Sequence, residues 1–161
     1  MWRGVHENCL PGLCLAKCGY IHLFMLKTHC LCTKLRRATR GVTRIYDDAL
    51  RDVGLNVAQF SLLRHLQRLD QPSISVLAEA MGLDRSTMGR NLKLLQEEGL
   101  ISLGEGTDQR SRVVQLTTQG HQRLEMSIEP WQQAQVQLAQ YLGEDKREVL
   151  MLLLDDLEII G

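Results

Sequence analysis

Between residues 84 and 98 the chain reads DRSTMGRNLKLLQEE, in which Arg85, Ser86, Thr87, Arg90, Asn91 and Lys93 all carry hydrogen-bond donors. Donors carried on one face of a helix can address base edges in the major groove and phosphate oxygens beside it. A second basic group follows in GEGTDQRSR, residues 104–112, where Arg110 and Arg112 sit in a glycine-rich tract. The chemistry on offer is recognition of a polyanion rather than bond making. An ordinary solvated helix face could carry the same letters, so the surrounding elements must decide between the two.

Catalysis is poorly served. The histidines, His6, His22, His29, His65 and His121, show neither an H-x3-H nor an H-E-x2-H pattern, and no serine lies in a nucleophile elbow. Gly104 and Gly106 precede a strand-like segment rather than a helix, so they do not form a phosphate-binding loop. The expectation is a protein that is not an enzyme and has no cofactor. The five cysteines, Cys9, Cys14, Cys18, Cys30 and Cys32, follow C-x4-C-x3-C-x11-C-x-C, which is not the paired C-x2-C form of a structural zinc site. Cys30 and Cys32 open a basic helix beside His29. A helix N-terminus and nearby cations lower a thiol pKa, so these two are candidates for redox or metal sensing, with inert cysteine as the alternative.

The donor-rich stretch has the marks of a helix. Asp84 suits an N-cap, Leu83 and Met88 occupy the positions of a hydrophobic staple, and Met88, Leu92, Leu95 and Leu100 form an apolar stripe ending at a glycine C-cap, Gly99. Gly89 stands mid-helix at a cost of about 1 kcal/mol relative to alanine. Close approach to DNA would account for it, and so would tight helix packing. Upstream, residues 73–82 predict a short helix with Leu77, Ala78 and Met81 inward, joined to the next by the turn Gly82-Leu83-Asp84. Downstream, residues 100–103 and 113–116 predict two strands around the arginine-bearing tip. A helix-turn-helix followed by a β-hairpin wing makes double-stranded DNA the expected partner.

At this point the chain resembles the MarR family of winged helix-turn-helix transcriptional regulators, over about residues 30 to 160. The motifs that carry the resemblance are LDRSTMGR at 83–90, EGLI at 98–101, DQRSR at 108–112 and LTTQG at 116–120. The resemblance implies that the helix matching 84–98 lies in the major groove and that Arg110 enters the minor groove. It also implies that Asp108 braces the wing by pairing with Arg112. Gln109 and Ser111 depart from the family pattern, and those changes could soften the wing while leaving its charges in place. A homodimer, a pseudo-palindromic operator, a repressor role and a small-molecule effector, often phenolic or lipophilic in this family, are implied in the same way.

The fold class expected is mainly α with a small β-hairpin wing: a winged helix-turn-helix flanked by N- and C-terminal dimerisation helices. The winged helix DNA-binding region is placed at 55–116 and the dimerisation helices at 30–52 and 117–160, together one MarR-like domain over 25–161. Pro72 should separate the helix at 57–69 from the helix-turn-helix, and Pro130 should kink or interrupt the long segment after Thr117. Residues 144–160 hold more apolar side chains than one small core requires, which argues for a second copy. Burial of those side chains and of Trp131 within one subunit is the alternative.

Residues 1–24 have no helical period and no signal-peptide organisation, and read either as a spurious extension upstream of Met25 or as a native flexible arm. The chain is formally neutral, with 19 basic and 19 acidic residues, so charge distribution matters more than net charge. The basic side chains gather at 27–51 and the acidic ones at 144–158. The basic helix could face phosphates or pair with the acidic helix of a partner copy. With no run of eighteen apolar residues, no membrane contact and a cytoplasmic location are expected. A winged helix that has lost DNA binding and serves as a protein-interaction module is the second reading. Arg90, Arg110 and Arg112 speak against it.

Overall fold

The computed structural model describes residues 28–105 and 112–160, and the chain divides into two compact units at Ala38/Thr39. The described part of the first unit opens helix α1 (Leu31–Leu50), with the Cys30 carbonyl accepting the Lys34 amide. The expected extension at 1–24 and its boundary at Met25 lie outside the described residues.

In the second unit, α1 closes on a 3-10 turn, Arg51–Val53, and on Gly54, whose φ of 69° is left-handed. Helix α2 (Val57–Leu69) starts at a capping box in which the Asn56 side chain accepts from the Gln59 amide and the Gln59 side chain accepts from the Asn56 amide. The Asp47 carboxylate of α1 accepts the Val57 amide at 2.8 Å, so a second orphan donor of that helix end is met. Helix α3 (Ile74–Ala80) begins at the Ser73 cap, and α4 (Arg85–Glu97) at the Asp84 cap. Both α3 and α4 end in the same way. The Leu83 amide bonds to Ala78 O and the Leu100 amide to Leu95 O, with Gly82 and Gly99 left-handed at the turn.

Strands β1 (Ile101–Glu105) and β2 (Arg112–Leu116) pair antiparallel, with Ile101 opposite Leu116 and Glu105 opposite Arg112. The hairpin does not hang free. Ser73 forms a bridge with Val113, the Val114 amide donates to Pro72 O at 2.9 Å, and the Gln115 side chain donates to that of Gln71 at 2.7 Å. Asp70 and Gln71 carry positive φ, 48° and 58°, in the turn that makes this possible. Pro72 therefore does more than stop α2, since its carbonyl anchors the wing.

Helix α5 (Thr118–Leu142) is capped by Thr117, whose hydroxyl donates to Gly99 O and accepts from the Gly120 amide. It runs unbroken through Pro130, where the sequence predicts a kink or an interruption. Proline removes the donor to the Met126 carbonyl, and Met126 is exposed, so water can serve that carbonyl and the helix need not end. Helix α6 (Glu144–Glu158) follows after Gly143. The core gathers Leu50, Leu62, Leu63, Leu77, Met88, Leu95, Leu100, Val114 and Leu124. Trp131 of α5 stacks on Phe60 of α2 with ring centroids 5.4 Å apart. The fold is thus mainly helical with a two-stranded wing, as the sequence predicts.

Candidate nucleic-acid interface

Helix α4 commits one side to the core and the other to solvent. Met88, Leu92 and Leu95 are buried, whereas Arg85, Ser86, Gly89, Arg90 and Lys93 are exposed, and Thr87 and Asn91 are half-buried at the edges. Leu94 is also exposed, at 55 %, on the flank of the same surface, an apolar contact that the polar pattern did not suggest. Arg112 is exposed at the start of β2. Asp108 and Arg110 lie outside the described residues, and so does the expected brace between Asp108 and Arg112.

The first turn of α4 is wired around Asp84. Its Oδ1 accepts the Thr87 amide at 2.9 Å and the Ser86 hydroxyl at 2.5 Å, and its Oδ2 accepts the Thr87 hydroxyl at 2.6 Å. The Ser86 and Thr87 hydroxyls, then the Thr87 amide, hold the Asp84 carboxyl well below the usual carboxylate range. Thr87 Oγ1 in turn accepts from Arg90 Nη2 at 3.1 Å. Both hydroxyl protons are committed to Asp84, so Ser86 is left to meet an incoming group as an acceptor, while Arg85, Arg90 and Lys93 present N–H groups. Lys93 lies 3.8 Å from Glu97, an exposed pair of little energetic weight that leaves the ammonium free to move.

Glycine is required at some positions and not at others. At Gly120 an added Cβ would fall 2.0 Å from Leu100 O, so the start of α5 can lie against that carbonyl only without a side chain. At Gly89 nothing lies within 4 Å of such a Cβ. Packing within the chain therefore does not explain Gly89.

Away from α4, an open crevice of about 440 Å³ lies between the turn at Arg51–Gly54 and α5, lined in part by Val53, Gln119, Gln122 and Met126. Arg123 Nη1 donates to Val53 O across its floor at 2.9 Å. In the first unit Cys30 and Cys32 are both exposed free thiols. The Thr33 side chain, then its amide, pulls the Cys30 thiol below its ordinary value. Among the described residues no three His, Cys, Asp or Glu side chains are grouped to hold a metal ion, and no helix is long and apolar enough to cross a membrane.

A family model described as the MarR family matches residues 53–111, which span the helix-turn-helix and the first strand of the wing. The transcriptional regulator MosR of M. tuberculosis, solved in complex with DNA, is 31% identical, with a TM-score of 0.68 over 77% of this chain and 93% of that one. The chain belongs to the MarR family. The repressor CouR, solved bound to a 23-mer DNA duplex, is 26% identical at a TM-score of 0.75, covering 83% of this chain and 99% of that one. An uncharacterized HTH-type transcriptional regulator of Bacillus subtilis (strain 168), YdgJ, is 28% identical over 99 residues, 61% of this chain and 60% of its own length. The chain thus spans about 60% of the length of YdgJ. In this MarR-family chain, α4 is the second helix of the helix-turn-helix and β1–β2 is the wing.

Proposed function

We propose that the chain is a sequence-specific, double-stranded-DNA-binding transcriptional regulator that acts as a repressor and binds a pseudo-palindromic operator as a homodimer. The observation that carries this reading is the exposed array on α4, where Arg85, Arg90 and Lys93 stand free of apolar cover on a helix whose other face is locked into the core. Arg112 adds a cation at the wing. MosR and CouR, each solved on DNA, support the same use of the surface. A two-fold pair would set two copies of α4 about 34 Å apart, one turn of the duplex. In this reading residues 25–161 form the regulator domain, 55–116 read DNA, and 30–52 with 117–160 dimerise.

The test is selection of a duplex from a random-sequence pool, followed by binding at several salt concentrations. Affinity for the selected duplex should fall steeply with salt, because arginine and lysine contacts to phosphates release counterions. Failure to retain any duplex would leave the protein-interaction reading in place.

Release of DNA has two candidate triggers. A small organic effector would sit in the crevice beside Arg51–Gly54. The other trigger is oxidation at Cys30 and Cys32, favoured by the lowered Cys30 thiol and its exposure. In that step the Cys30 thiolate attacks peroxide, yielding a sulfenic acid and, with one proton, water. A thiol of a second copy then displaces the sulfenic oxygen as water and closes an S–S bond. A tenfold loss of DNA affinity needs only about 1.4 kcal/mol of difference between the two states. Peroxide should release the selected duplex from wild type but not from the Cys30→Ser, Cys32→Ser variant, and an identical response of both would leave the effector as the trigger.

A further inference from the structure

Gly89 lies at the middle of α4, exposed, and its backbone is ordinary helix: the left-handed glycines among the described residues are Gly54, Gly82, Gly99 and Gly143. No neighbour lies within 4 Å of the place a Cβ would take. Neither conformation nor packing inside the chain calls for glycine here, and alanine would hold the helix better. Gly120 is the opposite case, since a carbonyl of the same chain excludes its Cβ.

What surrounds Gly89 narrows the explanation. With 3.6 residues per turn, its neighbours on the helix surface are Arg85 and Ser86 one turn before and Lys93 one turn after, all exposed. A patch of bare backbone is thus flanked along the helix axis by a cation on each side. An apolar protein surface would gain nothing from those two charges. A nucleic acid duplex would, because its phosphates can meet Arg85 and Lys93 while a base edge approaches the gap between them.

We propose that Gly89 is a specificity-determining contact of the reading helix, the point where the edge of a base pair lies against the α4 backbone in the space a side chain would fill. The inference rests on the DNA-binding function proposed above and deepens it, by naming a contact made through the absence of a side chain.

The experiment compares wild type with Gly89→Ala. It measures melting temperature, sedimentation, and affinity for two duplexes, one selected by wild type from a random pool and one of unselected sequence. The variant should melt about 2–4 °C higher, as a helix gaining alanine in a chain of this size does. Its sedimentation should be unchanged. Affinity for the selected duplex should fall about tenfold or more, as expected for a methyl forced into a filled space, whereas affinity for the unselected duplex, held through phosphates, should hold. Unchanged affinity for the selected duplex would overturn the proposal, and so would an equal loss on both duplexes. Altered sedimentation would assign the glycine to contact with a second copy and overturn it as well. If wild type itself retains no duplex, the DNA-binding function fails, a result distinct from a variant that binds as wild type does.

Discussion

The Asp84–Thr87–Arg90 chain makes one side chain on α4 more than a floating charge. An arginine held by a hydroxyl that is itself held by a carboxylate starts closer to a fixed direction, so less rotamer freedom is lost when it meets a base. Arg90→Ala should cost about 1–3 kcal/mol of affinity for a selected operator and relax preference at particular base pairs, as a binding-site selection on the variant would reveal. Thr87→Val should relax the same base pairs by a smaller amount.

Asp84 itself adds a dependence on pH. Its folded carboxyl titrates below the ordinary aspartate value of about 3.9, so the cap stabilises wherever the carboxylate is ionised, above that value. The contribution fades as pH falls from there toward the folded value. The gap in melting temperature between wild type and Asp84→Ala should therefore be full at pH 6 to 8 and narrow below about pH 4.

At the scale of elements, the contact between α5 and the end of α4 has the least tolerance. Gly120→Ala would drive a methyl into Leu100 O and should lower stability by at least about 1–3 kcal/mol, read by denaturant unfolding. Such a contact is invisible in the letters, because glycine at the start of a helix looks like weak propensity until the partner carbonyl is known. The caps at Asp84 and Thr117 were legible, and so were the glycines at 82 and 99, because each acts over about three residues of backbone. The caps at Asn56 and Ser73 are just as local but were not singled out in the sequence. The apolar stripe of Met88, Leu92 and Leu95 was legible for the same local reason, and with it the exposed face of α4 that holds the candidate site.

What was not legible spans distance. The Asp47 cap on α2 and the Pro72 and Ser73 tether on the wing depend on which elements come together. Of the two outcomes expected at Pro130, the interruption does not occur, because the local cost of proline turns on whether the freed carbonyl can reach water.

For the whole molecule, α6 is the element left unfinished. Val149, Leu150, Met151, Leu152 and Leu153 are each 39 to 61 % exposed, and none of the helix is buried in the single chain. A helix whose middle, Val149 to Leu154, is apolar all round finds its cover elsewhere, and a second copy of the chain is the cover proposed. Leu153→Glu should shift the protein from dimer toward monomer in sedimentation at micromolar concentration. Its affinity for a palindromic duplex should then fall with the loss of the second half-site, while a single half-site is bound as wild type binds it.

The Phe60–Trp131 stack joins the helix that precedes the reading motif to the helix that leads into α6. The chain has only two tryptophans, and the other is Trp2. Replacing Trp2 by Phe would leave a single indole seated on the seam between α2 and α5. Its fluorescence would then be an internal gauge of that seam. If peroxide or an effector releases DNA by sliding α5 along α2, the emission of Trp131 should move to longer wavelength as the ring meets water. If release happens with the seam closed, the spectrum should stay where it is.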